Sequence, residues 1–98
     1  MITRQRDYPR ELHIGQNIWS VRFARTIPGH PDCRGLCDPN EYIIWIEMGQ
    51  SPAERFKTFI HEVAHAVCDE WGIKECHRTI YRLEEPIRRL LEDNGVVY

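Results

Sequence analysis

The stretch that decides the fold runs from Ser51 to Gly72, SPAERFKTFIHEVAHAVCDEWG. It carries its own start and stop. Ser51 fits an N-cap, Pro52 the first helical position, and Glu54 the third, where a carboxylate can reach back to the cap. Gly72 suits the left-handed residue that ends a helix. Between them Phe56, Phe59, Ile60, Val63, Ala64, Val67 and Trp71 recur at steps of three and four, the apolar stripe of a helix over about residues 52 to 71.

Toward the C-terminus a second helix starts near Cys76 and stops at Asn94-Gly95, with Ile80, Leu83, Ile87, Leu90 and Leu91 as its stripe. Toward the N-terminus the pattern is extended. Trp19, Val21 and Phe23 alternate with Ser20, Arg22 and Ala24, and Glu41 to Met48 (EYIIWIEM) is rich in β-branched and aromatic residues; both read as strands. Residues 28–40 (PGHPDCRGLCDPN) hold prolines, glycines and Asp-Pro-Asn and read as a loop with turns. Residues 1–11, with Tyr8-Pro9, read as a loosely attached lead-in. Strands followed by helices make the class α+β rather than alternating α/β.

At 98 residues there is room for one hydrophobic core, so residues 1–98 form a single domain. A chain this short has thin stability, and a bound metal would help it. With 42% hydrophobic and 29% charged residues the composition is that of a folded globular protein. A formal net charge of -2 offers no basic field for nucleic acid and no polybasic patch for a membrane. No apolar run is long enough to span a bilayer, and MITRQRDYPREL has no signal-peptide core, so the expected location is the reducing cytoplasm. There Cys33, Cys37, Cys68 and Cys76 are expected as thiols or metal ligands, not disulfides.

Inside the first helix stands His61-Glu62-Val63-Ala64-His65, an HExxH motif. Residues four apart share a helical face with Cβ atoms about 6 Å apart, so both imidazoles can reach one ion, Zn2+ being the natural occupant. Glu62 lies about 100° away around the helix, too far to ligate easily, but placed to take a proton from a water. A solvated helix with two surface histidines is the plainer reading. Against it, the motif sits mid-helix among Phe59, Ile60, Val63, Ala64, Ala66 and Val67, and polar groups on a buried helix need partners.

A catalytic zinc takes three protein ligands and keeps one position open. On the second helix His77 and Glu84 lie within about 60° of the centre of the stripe made by Ile80, Ile87 and Leu91, whereas Glu85 lies about 140° away. His77 or Glu84 can therefore face the motif. A turn through Gly72 would bring His77 back near it, which favours His77. The other reading of Glu84 is a carboxylate that hydrogen-bonds a ligand histidine.

The run from Thr58 to Val67, the extended Tyr42-Ile-Ile-Trp-Ile46, Leu83-Glu84 and Asp93-Asn94 together resemble small phage and bacterial zincin-type metallopeptidases, in the neighbourhood of the SprT-like and ImmA/IrrE-type proteins. The likeness covers about residues 35 to 95 and is specific in the helix. It implies a short antiparallel sheet packed on the HExxH helix, then a second helix supplying the third ligand. That ligand is often acidic at the start of the second helix in relatives; the matching position here is His77, an equally good zinc ligand. It also implies peptide hydrolysis by a zinc-activated water, with Glu62 as base. In zincins a strand beside the motif helix pairs with the substrate backbone, and Tyr42–Glu47 is the candidate here, the alternative being a buried central strand. Tyr81 could donate to a developing oxyanion.

Two readings of other kinds stand beside this one. The chain could be a non-catalytic module that keeps zinc for folding, with a fourth protein ligand closing the site. It could instead be a regulator that cleaves or binds a repressor, as the resemblance to ImmA-like proteins implies; with no helix-turn-helix of its own, any such effect would pass through a partner. Cys33 and Cys37, four apart, could join Cys68 and Cys76 in a structural zinc site, though no second close pair follows. Cys68 reads as a small buried thiol, Cys76 as pointing away from the motif, and His13 and His30 as surface residues.

Overall fold

The computed structural model describes residues 8–74 and 76–96. Strand β1 (Glu11–Ile14) turns at Gly15-Gln16 into β2 (Asn17–Ala24), with Gly15 at φ 61. Glycine at the first of two loop positions is what such a hairpin requires. Then come β3 (Gly35–Asp38), β4 (Ile43–Glu47), α1 (Pro52–Trp71) and α2 (His77–Asp93). The α+β class holds, with a four-stranded sheet followed by two helices.

The sheet order is β1-β2-β4-β3, and the sheet is mixed rather than antiparallel. β4 runs parallel to β2, Val21 opposite Ile44 and Phe23 opposite Ile46, while β1 and β3 pair antiparallel to their neighbours. The cause lies in residues 28–40, expected as loop alone. They carry the chain past the place of β4, lay β3 at the far edge, and return β4 into the gap beside β2. β4 is thus paired on both sides, and the free edges belong to β1 and β3.

Trp19, Ile44, Ile46, Phe59 and Ala64 are fully buried between sheet and α1, and Ile80, Ile87 and Leu91 of α2 join the same core. Two stripe positions fall outside it. Leu90 is 62% exposed because it lies about 80° around α2 from the centre of the buried residues. Trp71 is 60% exposed at the last position of α1. Tyr8, expected in a loose lead-in, is buried: its ring stands edge-on to Phe23 at 5.1 Å, Phe59 at 5.0 Å and Phe56 at 6.3 Å. Its hydroxyl has no hydrogen-bond partner among the described residues. Arg10 O accepts from Val21 N and Glu11 opens β1, while residues 1–7 of that segment lie outside the described residues.

Helix α1 begins and ends as its sequence dictates. Ser51 Oγ accepts from Glu54 N at 3.2 Å, Glu54 reciprocates to the Ser51 N–H, and Gly72 closes the helix in the left-handed conformation at φ 64. Both ends are also tied to the sheet. Near the start, Thr58 Oγ1 donates to Gln50 Oε1 at 2.7 Å, and the buried Gln50 amide donates to the carbonyls of Arg34 (3.1 Å) and Glu47 (2.9 Å). At the end, Glu70 accepts from Trp19 Nε1 at 2.8 Å, from Asn17 Nδ2 at 2.8 and 3.0 Å, and from Gln16 N. Desolvation raises the Glu70 pKa, but those hydrogen bonds outweigh it and hold the carboxyl below its usual range. No helix among the described residues is long and apolar enough to cross a membrane.

Candidate functional site

With its ends held, α1 presents the motif to two different neighbours. His61 and His65 are half-buried on the side toward α2, and Glu62 is buried on the side toward β3. The two imidazoles meet edge to face, centroids 4.9 Å apart, with Nε2 of one 3.3 Å from Nε2 of the other. Zinc bound tetrahedrally at ordinary Zn–N distances holds two nitrogens about 3.3–3.4 Å apart. The pair therefore has the bite of one ion. The same spacing also admits a single proton in a long hydrogen bond.

Glu84 decides which nitrogen of His61 is available. His61 Nδ1 lies 2.8 Å from Glu84 Oε2. In the tautomer whose Nδ1–H donates to that carboxylate, Nε2 keeps its lone pair. α2 thus reaches the motif through a carboxylate about 40° from the centre of its buried stripe. Glu85, one residue on, is exposed and pairs with Arg88, as the helical phase requires.

His77 opens α2 and is exposed, its ring 6.1 Å from that of Tyr81. It lines a pocket together with His61, His65, Cys76 and Ile80. Among the described residues, however, no three His, Cys, Asp or Glu side chains stand close enough to hold a metal ion. The structure brings His61 and His65 together and leaves His77 at the rim of their pocket. Cys76 corrects an expectation, since it lines this pocket instead of pointing elsewhere. As the N-cap of α2 its Sγ is 3.2 Å from Thr79 Oγ1, and that hydrogen bond draws the thiol below its ordinary pKa.

Glu62 lines a second, open groove with Arg34, Gly35, Lys57, Tyr81 and Glu84, and His61 borders both spaces. Gly35 is the residue that permits this. A Cβ there would stand 2.5 Å from Thr58 Cγ2 and 3.0 Å from both Cγ and Oε2 of Glu62, so only glycine lets β3 lie this close to α1. In the sequence Gly35 reads as turn punctuation within residues 28–40, and nothing local distinguishes the two roles.

The substrate-pairing role expected of Tyr42–Glu47 does not fit the sheet. Ile43–Glu47 is an inner strand with both edges occupied, as the central-strand alternative has it; Tyr42 lies just ahead of it at φ 56. The edge beside the motif helix is β3. None of the four cysteines is in a disulfide; Cys68 is buried as expected, Cys33 and Cys37 are half-buried, and no cysteine zinc cluster forms among the described residues. His13 and His30 are exposed. Compared with family models, curated proteins and solved structures, the chain finds no match.

Proposed function

We propose that this protein is a zinc-dependent peptidase, and the observation that carries the reading is the 3.3 Å approach of His61 Nε2 to His65 Nε2 beside a Glu84-bound Nδ1. His61 and His65 would hold the ion, with His77, on the rim of their pocket, as the third ligand. Bound there, zinc supplies Lewis-acid polarisation and makes water acidic enough to attack near neutral pH. Glu62 takes the proton of the attacking water and returns it to the leaving amine. Tyr81, on the same groove, donates to the oxygen that gains charge.

The substrate is an extended peptide, which we assign to the outer edge of β3 in place of Tyr42–Glu47. In the β3–β4 register Arg34 O accepts from Glu47 N, so alternation turns the backbone groups of Gly35 and Cys37 outward. Strand addition there would carry a peptide past Glu62. Four cysteines outside any disulfide suit a reducing cytoplasm, the location we propose.

The test is Glu62→Gln. Metal analysis should find one zinc per chain in both proteins, and cleavage of a quenched-fluorescence peptide library should vanish in the variant. Turnover surviving the substitution overturns the role of Glu62. The Cys76 thiol on the histidine pocket favours one rival, a non-catalytic module whose zinc is closed off by protein ligands. Zinc bound with no cleavage by wild type or variant would select that rival.

A further inference from the structure

We infer that Glu84 is a positioning residue: its carboxylate, bonded to His61 Nδ1, sets the tautomer and ring orientation that turn His61 Nε2 toward His65, and it is not itself a metal ligand. The inference rests on the metal site proposed above and assigns Glu84 one of the two roles its helical phase leaves open.

Three observations lead there. The contact is short, 2.8 Å, and joins two side chains that are 37% and 25% exposed, so the hydrogen bond works in a partly desolvated setting. It uses the one ring nitrogen that does not face His65. Nδ1 and Nε2 lie on opposite sides of an imidazole, so an oxygen bonded at Nδ1 stands well beyond ligand distance of anything held at Nε2. One carboxylate oxygen cannot serve both. Finally, the placement of Glu84 is over-determined. It lies between Ile80 and Ile87, both buried against α1 and the sheet, with half-buried Leu83 beside it. Rotating Glu84 onto the His65 side would unseat that stripe. Carboxylate, histidine and ion in series is the arrangement that fixes ring orientation and raises ligand basicity.

The two roles separate under conservative substitution. A glutamine can still accept the Nδ1–H through its Oε1, whereas a neutral amide is a poor substitute for a ligating carboxylate. Zinc affinity is measured by competition with a chromophoric chelator for wild type, Glu84→Gln and Glu84→Ala. The inference expects Glu84→Ala to bind zinc about 10- to 100-fold more weakly and Glu84→Gln to recover most of that loss. Equal weakness of the two variants, or wild-type affinity in Glu84→Ala, overturns it.

Long-range nitrogen–proton NMR of the metal-free protein reads the tautomer directly. His61 should be Nδ1-protonated in wild type and Glu84→Gln, and should shift toward the Nε2–H form in Glu84→Ala. A wild-type His61 lacking the Nδ1 proton also overturns the inference. Failure of the wild type to bind zinc would sink the peptidase reading instead, and the tautomer measurement would still decide the role of Glu84.

Discussion

Gly35→Ala strains fold and site at once. The backbone of Gly35 is not in the left-handed region, so alanine meets no dihedral penalty and the effect is steric. Its methyl would sit 2.5 Å from Thr58 Cγ2 and 3.0 Å from Glu62 Cγ and Oε2, where relaxed carbon contacts need about 3.5–4.0 Å. Thr58 cannot swing away cheaply, because it is β-branched and its hydroxyl is bonded to Gln50 at 2.7 Å. β3 and α1 must part by about 1 Å, an overpacking that costs roughly 1–3 kcal/mol. On the proposed peptidase reading, the displaced Glu62 should lower turnover by about 10²-fold. Urea unfolding of Gly35→Ala, Thr58→Ser and the double variant isolates the contact, since serine keeps the hydroxyl and removes Cγ2. The double variant should be more stable than the sum of the single effects by about 1 kcal/mol. Its turnover should stay low, because the Glu62 contact remains. Wild-type stability in Gly35→Ala with no coupling to Thr58 would refute the steric account of this glycine.

Tyr8→Phe should raise stability by about 1 kcal/mol in urea unfolding, since it removes a buried hydroxyl that has no partner among the described residues. Burial, partly offset by Arg55, pushes the Tyr8 pKa up from 10.0 to about 12. The folded state thus holds this proton longer than the unfolded chain. Its contribution is whole below pH 10.0 and fades as pH rises toward 12, a loss the Tyr8→Phe variant should not share; identical alkaline profiles would rule this out. Glu70→Gln acts at the opposite end of the scale. The carboxyl is held below its ordinary 4.5, so its contribution is present above that pH and is lost as pH falls through the lower folded value. The variant should show a lower urea midpoint at neutral pH and a flatter acid limb; an unchanged acid limb would contradict the tie to Trp19 and Asn17.

What was legible in the sequence was what is local. Ser51, Pro52, Glu54 and Gly72 lie within or beside the helix they bound, and each acts through its own backbone, so α1 could be read to the residue. The same holds for the phase of α2, which turned Glu84 inward and Glu85 outward. Strand order was not legible, because β2 and β4 are brought side by side by a connection whose path no local pattern records. β3 was hidden for a related reason. Four residues, flanked by turn formers and opened by a glycine, carry no period of their own, and Gly35 owes its place to Thr58 and Glu62 on another element. Phase could aim Glu84 at α1 but could not name the nitrogen it meets.

Those ties also bear on whether the proposed zinc would build this fold or work in it. A structural metal is needed where the core cannot hold its elements together, and such domains unfold when the ion is removed. Here α1 is fastened to the sheet at both ends, through Gln50 with Thr58 and through Glu70 with Trp19 and Asn17. It meets α2 through Ile80, Ile87 and Leu91, and none of these contacts passes through His61 Nε2 or His65 Nε2. Removing zinc with a chelator should therefore leave the far-ultraviolet dichroism intact. The unfolding free energy should fall only by the amount that binding adds, about 2.7 kcal/mol at a free zinc concentration one hundred times Kd. A chain that unravels on chelation at 25 °C would need its metal as a brace, and the non-catalytic module would then be the better reading of the same two histidines.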